Sequence, residues 1–367
     1  MILFLYIFRR VMRIFVFAFI GVIFLIALMN AIELLSSGNG ATVTLGQILT
    51  MALLQAPSVS MKALPFVMLL SGMWAFITLA RSSEFVAARS AGHTYVAQAF
   101  AGMMAAFVVG VFAICIYGPL SAAALNGFER LEASIFDEGG NFLSVSNEGI
   151  WLRESLSEGH AVLRAARSTN PDGTQFFDVS YFRFGAGDVL SERIDAELAQ
   201  LGDGVWEMAG VRSYSVPGNR DASVPNVVEH LALNVSTKLT AEEILNSVAD
   251  PETISVWQMP TVIAGMEEAG FSARRHKTHF HGLLALPVFL AAMTLISAAF
   301  AIRPPRTAKF GWIALGCALS GFVFYFVSDV AMALAASGGA PVIMGAWSPA
   351  LAAMLLGVAF SLVFGDA

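Results

Sequence analysis

Long apolar runs broken by short polar turns fill both ends of the chain, and one extended polar stretch separates them. A hydrocarbon core of about 30 Å takes roughly 20 helical residues at 1.5 Å each. Six runs meet or approach that length, near Ile14 to Ile32, Ala63 to Ala80, Val96 to Leu125, Leu283 to Ile302, Phe310 to Leu334 and Met344 to Phe364. The polar stretch between the third and fourth is about 150 residues long, ample for one folded domain. The pattern predicts an α-helical bundle of six transmembrane helices with an inserted soluble domain, divided as 1–126, 127–272 and 273–367. Arg9, Arg10 and Arg13 resemble the start of a signal peptide. The apolar run behind them is too long, however, and lacks a small-x-small cleavage site, so it reads as a retained anchor.

In the polar stretch the period changes from helix to strand. "FFDVSYFRF" (Phe176 to Phe184) alternates Phe177, Val179 and Tyr181 against Asp178 and Ser180, after the turn signal "NPDGT". "GVWEMAGVRSYSV" and "EHLALNVSTKL" are similarly short, β-branched or aromatic, and bounded by breakers. Several short strands with frequent turns predict a sandwich or jelly roll over about Phe136 to Thr237. "TAEEILNSV" then reads as a helix with a Thr240–Glu243 capping box, and "MPTVIAGMEEAG" as a helix ending at Gly270.

Composition agrees: the chain is 57% hydrophobic and 13% charged, with a mean hydropathy of +0.70, which excludes a soluble globular protein. Basic residues favour the cytoplasmic side of short loops. Arg9, Arg10 and Arg13 precede span one, Arg81 and Arg89 lie between spans two and three, and Arg303, Arg306 and Lys309 lie between spans four and five. The opposite loops, "LLSSGNGATVTLGQ" and "AASGGAPVIMG", carry no basic residue. Both termini are therefore expected in the cytoplasm and the β domain outside. "ARRHKTHFH" (Ala273 to His281) goes against this rule, which long translocated domains tolerate. Cys115 and Cys317 fall in predicted spans, so no disulfide framework is expected to support the outer domain.

The loop "LARSSEFVAARSAGHTYVAQAF" (Leu79 to Phe100) is punctuated more strictly than a chain reversal needs. Ser82 or Ser83 can cap a helix, Glu84 sits where the helix dipole favours an anion, Arg89 sits in the last turn, and Gly92 can take the left-handed stop. Phe85 and Arg89, four apart, share a side. The element predicted over 83–91 is either an interfacial helix touching lipid headgroups or a docking peg for a cytoplasmic partner.

That loop, with "APSVSMKA" and "LPFVMLLSGMWAFIT" before it, resembles the coupling segment of the lipopolysaccharide export permeases, the LptF/LptG family. "SVWQMPTVIAGMEEAGFSARRHKTHFHGLLALPVFLAAMTLISAAFAIRPPR" and "GAPVIMGAWSPALAAMLLGVAFSLVFGD" resemble the family too, and the Arg-His run, late Trp-x-Pro and acidic final turn lean toward LptG. The resemblance covers all six spans and is weakest in the outer domain. It implies a bacterial inner-membrane protein with a periplasmic jelly roll, paired with a paralogous permease on two copies of an LptB-type ATPase. With an LptC-type protein, such an assembly moves lipopolysaccharide from the outer leaflet toward a periplasmic bridge. It further implies that Ser83, Glu84, Phe85, Arg89 and Gly92 couple to the ATPase, and that ATP and Mg are held by that partner. No G-x-x-x-x-G-K-[ST] occurs here, so this chain binds no nucleotide by that route and no cofactor is expected on it.

An anionic lipid also gives the rule-breaking cluster a purpose. Lys62 at the outer end of span two, with Arg274, Arg275 and Lys277 at the outer end of span four, would ring a cavity mouth at headgroup height, and Arg130 is a further candidate. The alternative is that these side chains snorkel as interfacial anchors. The 29 Phe and 16 Met could line an acyl cavity, or simply pack spans and face lipid. His276, His279 and His281 lack a Cys or carboxylate fourth ligand, so no metal is assigned. Asp329, an acid inside span five, is a functional candidate by default. The spans hold no paired aspartates and no H-E-x-x-H, so no catalytic residue is assigned, and nothing calls for nucleic acid. A membrane-anchored sensor or scaffold is the remaining alternative, although the cytoplasmic loops are too short for an output domain.

Overall fold

The computed structural model describes residues 2–37, 44–81, 95–136, 142–146, 149–156, 159–168, 174–185, 189–202, 204–215, 226–237, 250–268, 270–301 and 310–365. In chain order the elements are α1 (Ile2–Ser37), α2 (Leu45–Arg81), α3 (Tyr95–Phe112), a π-helical segment (Ala113–Tyr117) and α4 (Gly118–Phe136). Strands β1 (Phe142–Ser146), β2 (Gly149–Ser155), β3 (His160–Ala165), β4 (Arg167–Ser168), β5 (Gln175–Phe184), β6 (Leu190–Leu201), β7 (Val205–Ser215) and β8 (Asn226–Ser236) come next. A 3₁₀ turn (Pro251–Thr253), α5 (Met259–Glu268), α6 (Arg274–Ala301), α7 (Phe310–Ala336) and α8 (Val342–Gly365) complete the chain. It divides into two units: Met1–Glu132 with Arg274–Ala367, and Ala133–Ala273.

The first unit is a helical bundle containing six helices long and apolar enough to cross a membrane. α2 and α6 are its centre, with 67% of their most apolar windows buried against 11% for α1 and α7. Close approach is made by small residues, as apolar faces in lipid require. A Cβ at Gly72 would strike Ser297 of α6, and one at Gly102 would meet the Phe76 ring at 2.6 Å. One at Gly110 would collide with the Pro287 backbone. Met68, Leu69, Phe76, Leu290 and Met293 fill the core around these crossings.

The spans are longer than the apolar runs suggested, α2 most of all. It starts at Leu45, far ahead of Ala63, and runs through Pro57 and Pro65. The apolar run begins only at the end of "APSVSMKA", whose proline and serines are uncommon in helix interiors. Ser58 and Ser60 are instead buried against neighbouring helices, and the Ser60 hydroxyl donates to the Pro57 carbonyl at 2.9 Å.

The second unit is a single eight-stranded antiparallel sheet in the order β1-β2-β3-β5-β6-β7-β8, with β4 also paired to β5. The strands expected in "GVWEMAGVRSYSV" and "EHLALNVSTKL" are β7 and β8. One face is buried around Leu152, Leu163, Phe176, Val179, Tyr181, Trp206 and Met208. The alternation expected along β5 is corrected at one place: Phe176 is buried, and Phe177 is not. Asp178 takes φ 50°, and the register passes from Phe177↔Leu198 to Val179↔Ala196 with Asp178 left unpaired. That left-handed residue interrupts the two-residue period, so Phe176, Val179 and Tyr181 share the inner face.

α5 buries Met259, Ile263 and Met266, one stripe at helical spacing. It ends as its sequence predicted, at Gly270 (φ 86°). The Gly270 N–H donates to the Glu267 carbonyl at 3.1 Å and the Phe271 N–H to Met266 at 2.8 Å, a Schellman stop. Phe271 then packs on Phe176, ring centroids 6.3 Å apart. The helix expected at Thr240 to Val248 lies outside the described residues.

Candidate functional site

Ser83, Glu84, Phe85, Arg89 and Gly92 lie outside the described residues, as do Arg303, Arg306 and Lys309. The five basic candidates for anion binding are described. Lys62 is exposed midway along α2, so the helix continues well past it where the run Ala63 to Ala80 had placed it at a span end. Arg130 is exposed on α4, and Arg274 and Arg275 are exposed in the first turn of α6, with Lys277 half-buried one turn on.

Packing within the bundle fixes their heights. α6 runs antiparallel to α3: Thr294 lies beside Gly102 and Pro287 beside Gly110. Continuing that register by 1.5 Å per residue carries Lys277 to Arg274 level with about residues 120 to 123 of α4. On α2, Met61 touches Gly118, so Lys62 sits level with about residue 117. Lys62 and the α6 cluster thus fall within about two helical turns of one height, on different helices.

Arg274 has a further task. Its Nη2 donates to the Ala340 carbonyl at 3.4 Å, and its guanidinium lies beside Gly338 (φ 93°), where a Cβ would come within 3.6 Å of Cζ. It braces the turn between α7 and α8. Arg275 and Lys277 lie in the first turn of the same helix. His276 is buried, whereas Asp329 is exposed on α7.

Inside the β domain the inner face holds a polar group that sequence reasoning missed. The Thr237 hydroxyl donates to Glu154 Oε1 at 2.9 Å, in full burial. The Tyr181 hydroxyl is buried nearby and has no hydrogen-bond partner among the described residues. Burial, and then the Glu154 charge, push its pKa up to about 12. The available signal was the two-residue period, which sets Glu154 on the same side as Leu152.

The family model for "Lipopolysaccharide export system permease LptF/LptG" matches residues 5–362. The chain belongs to the LptF/LptG permease family. The lipopolysaccharide export system permease protein LptG of Haemophilus influenzae is similar to it, 25% identical over 289 residues covering 78% of this chain and 77% of that one. The permease match spans both units, including the β domain where the sequence resemblance was weakest. Among the permease's described residues no group of three or more His, Cys, Asp or Glu could hold a metal ion.

Proposed function

We propose that this chain is a non-catalytic permease subunit of an ATP-driven exporter. It would extract lipopolysaccharide from the outer leaflet of the inner membrane and pass it to a periplasmic bridge. The observation that carries this reading is the family match over both the bundle and the β domain. ATP hydrolysis belongs to a separate cytoplasmic LptB-type ATPase, two copies of which serve this chain and a paralogous permease, with an LptC-type protein beyond them. The basic loops set both termini in the cytoplasm and the β domain in the periplasm.

Extraction of a multi-acyl lipid is costly because each buried methylene is worth about 0.8 kcal/mol. Apolar surface must therefore replace the bilayer. The unburied apolar flanks of α1 (Phe17, Ile20, Phe24, Leu28) and α7 (Phe322, Val323, Phe326) offer it. Lys62, Arg275 and Lys277, near one height, serve lipid phosphate, with Arg274 dividing its charge between lipid and the α7–α8 turn, and Arg130 adding to them.

The element 83–91 transmits the motor's force. Glu84 faces a basic or hydrogen-bonding group of the ATPase, Phe85 fills an apolar pocket, Arg89 pairs with an acid or braces the helix end, Ser83 caps and Gly92 turns the chain into α3. The test is co-purification of the ATPase and ATP-driven lipid release in proteoliposomes. Glu84→Arg leaves an unmatched charge at the contact, costing a few kcal/mol. It should abolish coupling with membrane insertion unchanged. The triple reversal Lys62→Glu, Arg274→Glu, Arg275→Glu should impair lipid loading with ATPase assembly intact. Normal motor binding and normal lipid release in both variants would sink the proposal.

A further inference from the structure

α3 does not continue into α4 as an α-helix. Five residues, Ala113–Tyr117, are wound as a π-helix, and the Gly118 N–H closes onto the Ala113 carbonyl. The cause lies in the next residue: Pro119 has no N–H for the Cys115 carbonyl and its ring crowds that oxygen, so the preceding turn widens. Gly118 suits the widened turn, because a Cβ there would stand 3.2 Å from the Ala113 oxygen.

The facing stretch of α2 is weakened at the same height. Pro57 and Pro65 each remove an i→i−4 bond, from the Leu53 and Met61 carbonyls, and Ser60 lies between them. Ser60 Oγ is 2.6 Å from Tyr117 Oη. Since Ser60 donates its one proton to the Pro57 carbonyl, Tyr117 is the donor to Ser60. Phe19 of α1 seats its ring edge-on to Tyr117 at 5.4 Å. One hydrogen bond therefore joins the π-helical segment to the stretch of α2 between its two prolines, where α2 stays α-helical but lacks two backbone hydrogen bonds.

The two sides of this joint are packed differently. Below it, Gly72, Gly102 and Gly110 bring α2, α3 and α6 into close contact. Above it, α4 makes no comparably close backbone approach to any described element. Its link to α2 there is side-chain contact, Leu54 lying 3.6 Å from where a Cβ of Gly127 would be.

We propose that Ala113–Tyr117 is a pivot on which α4 swings against the outer half of α2, and that the Tyr117–Ser60 hydrogen bond is the latch that holds it closed. The inner halves of α2 and α3 stay fixed on α6, and α4, which leads along the chain into the β domain, is the moving arm. The inference stands on the packing alone and does not depend on the transported substrate.

The test is electron–electron distance measurement on the full chain in nanodiscs, in a Cys115→Ala, Cys317→Ala background. One label pair, at the exposed positions Leu53 and Arg130, spans the joint's outer side. The other, at Trp74 and Phe107, spans the inner side. Tyr117→Phe and Ser60→Ala should each shift the outer pair to longer, broader distances, the double variant no further than either single one, while the inner pair keeps its parental distribution. Deletion of the exposed Ile116 combined with Pro119→Ala, which removes both the extra residue and the ring that widens the turn, should give a continuous α-helix and narrow the outer pair. An unchanged outer distribution in both Tyr117→Phe and Ser60→Ala overturns the latch. Equal broadening of both pairs overturns it also, because that is general loosening, and an outer pair that does not narrow on deletion overturns the pivot.

Discussion

Gly265 and Gly270 lie five residues apart at the end of α5, yet replacing each by alanine should move stability in opposite directions. At Gly270 the backbone has φ 86°, and a Cβ would collide with the Ser168 carbonyl. The left-handed conformation costs an L-residue about 1–2 kcal/mol, and forcing an extra methyl into a packed site adds about 1–3 kcal/mol. Gly270→Ala should therefore destabilise the β domain by about 2–5 kcal/mol, since it breaks the Schellman stop and lifts Phe271 from Phe176. At Gly265 a Cβ meets nothing within 4 Å, and the residue is helical. Gly265→Ala should stabilise by up to about 1 kcal/mol, the helix-propensity difference. Hydrogen exchange of β5–β7 amides in the intact chain in nanodiscs reads both changes, because about 1.4 kcal/mol is tenfold in an equilibrium constant. Gly270→Ala should accelerate exchange by about thirtyfold or more, and Gly265→Ala should slow it slightly. Same-sign changes, or no acceleration for Gly270→Ala, would refute the reasoning.

Asp178 on β5, at φ 50°, should respond against strand propensity: Asp178→Gly is expected to stabilise the β domain, and Asp178→Val to cost about 1–2 kcal/mol, measured by the same exchange. Tyr181 should give the domain an alkaline limit. Its folded pKa, about 12, is above the ordinary 10.0, so the native state holds the proton longer and stability falls as pH rises from 10 toward 12. Tyr181→Phe should flatten that slope and cost little at neutral pH, because the buried hydroxyl has no described partner. Photo-crosslinkers at Phe176, Val179 and Tyr181, compared with Phe177 and Phe182, should capture lipid from the first set alone; equal capture from both faces, or none from either, would remove the acyl-chain role from the β domain.

Six helices and a domain of short strands were legible in the sequence because each rests on a local rule: a run of apolar residues long enough for a bilayer, and short alternating segments between turn signals. The stop at Gly270 was legible for the same reason, a glycine directly after a helical stripe. What lay beyond local rules came from contacts. "APSVSMKA" lies ahead of the apolar run, and only the bundle, which buries Ser58 and Ser60, carries α2 unbroken past Lys62. Nothing near Asp178 in the chain announces φ 50°, and that conformation sets Phe176 in the core in place of Phe177. The basic candidates could be named from charge alone, but the height shared by Lys62 and the α6 cluster depends on how Gly110 meets Pro287 and Gly118 meets Met61, pairs far apart in the chain. Tyr117 and Ser60, 57 residues apart, are two unremarkable letters in the sequence; only helix packing sets one hydroxyl against the other, because the side chain that completes a polar contact in an apolar bundle comes from another helix.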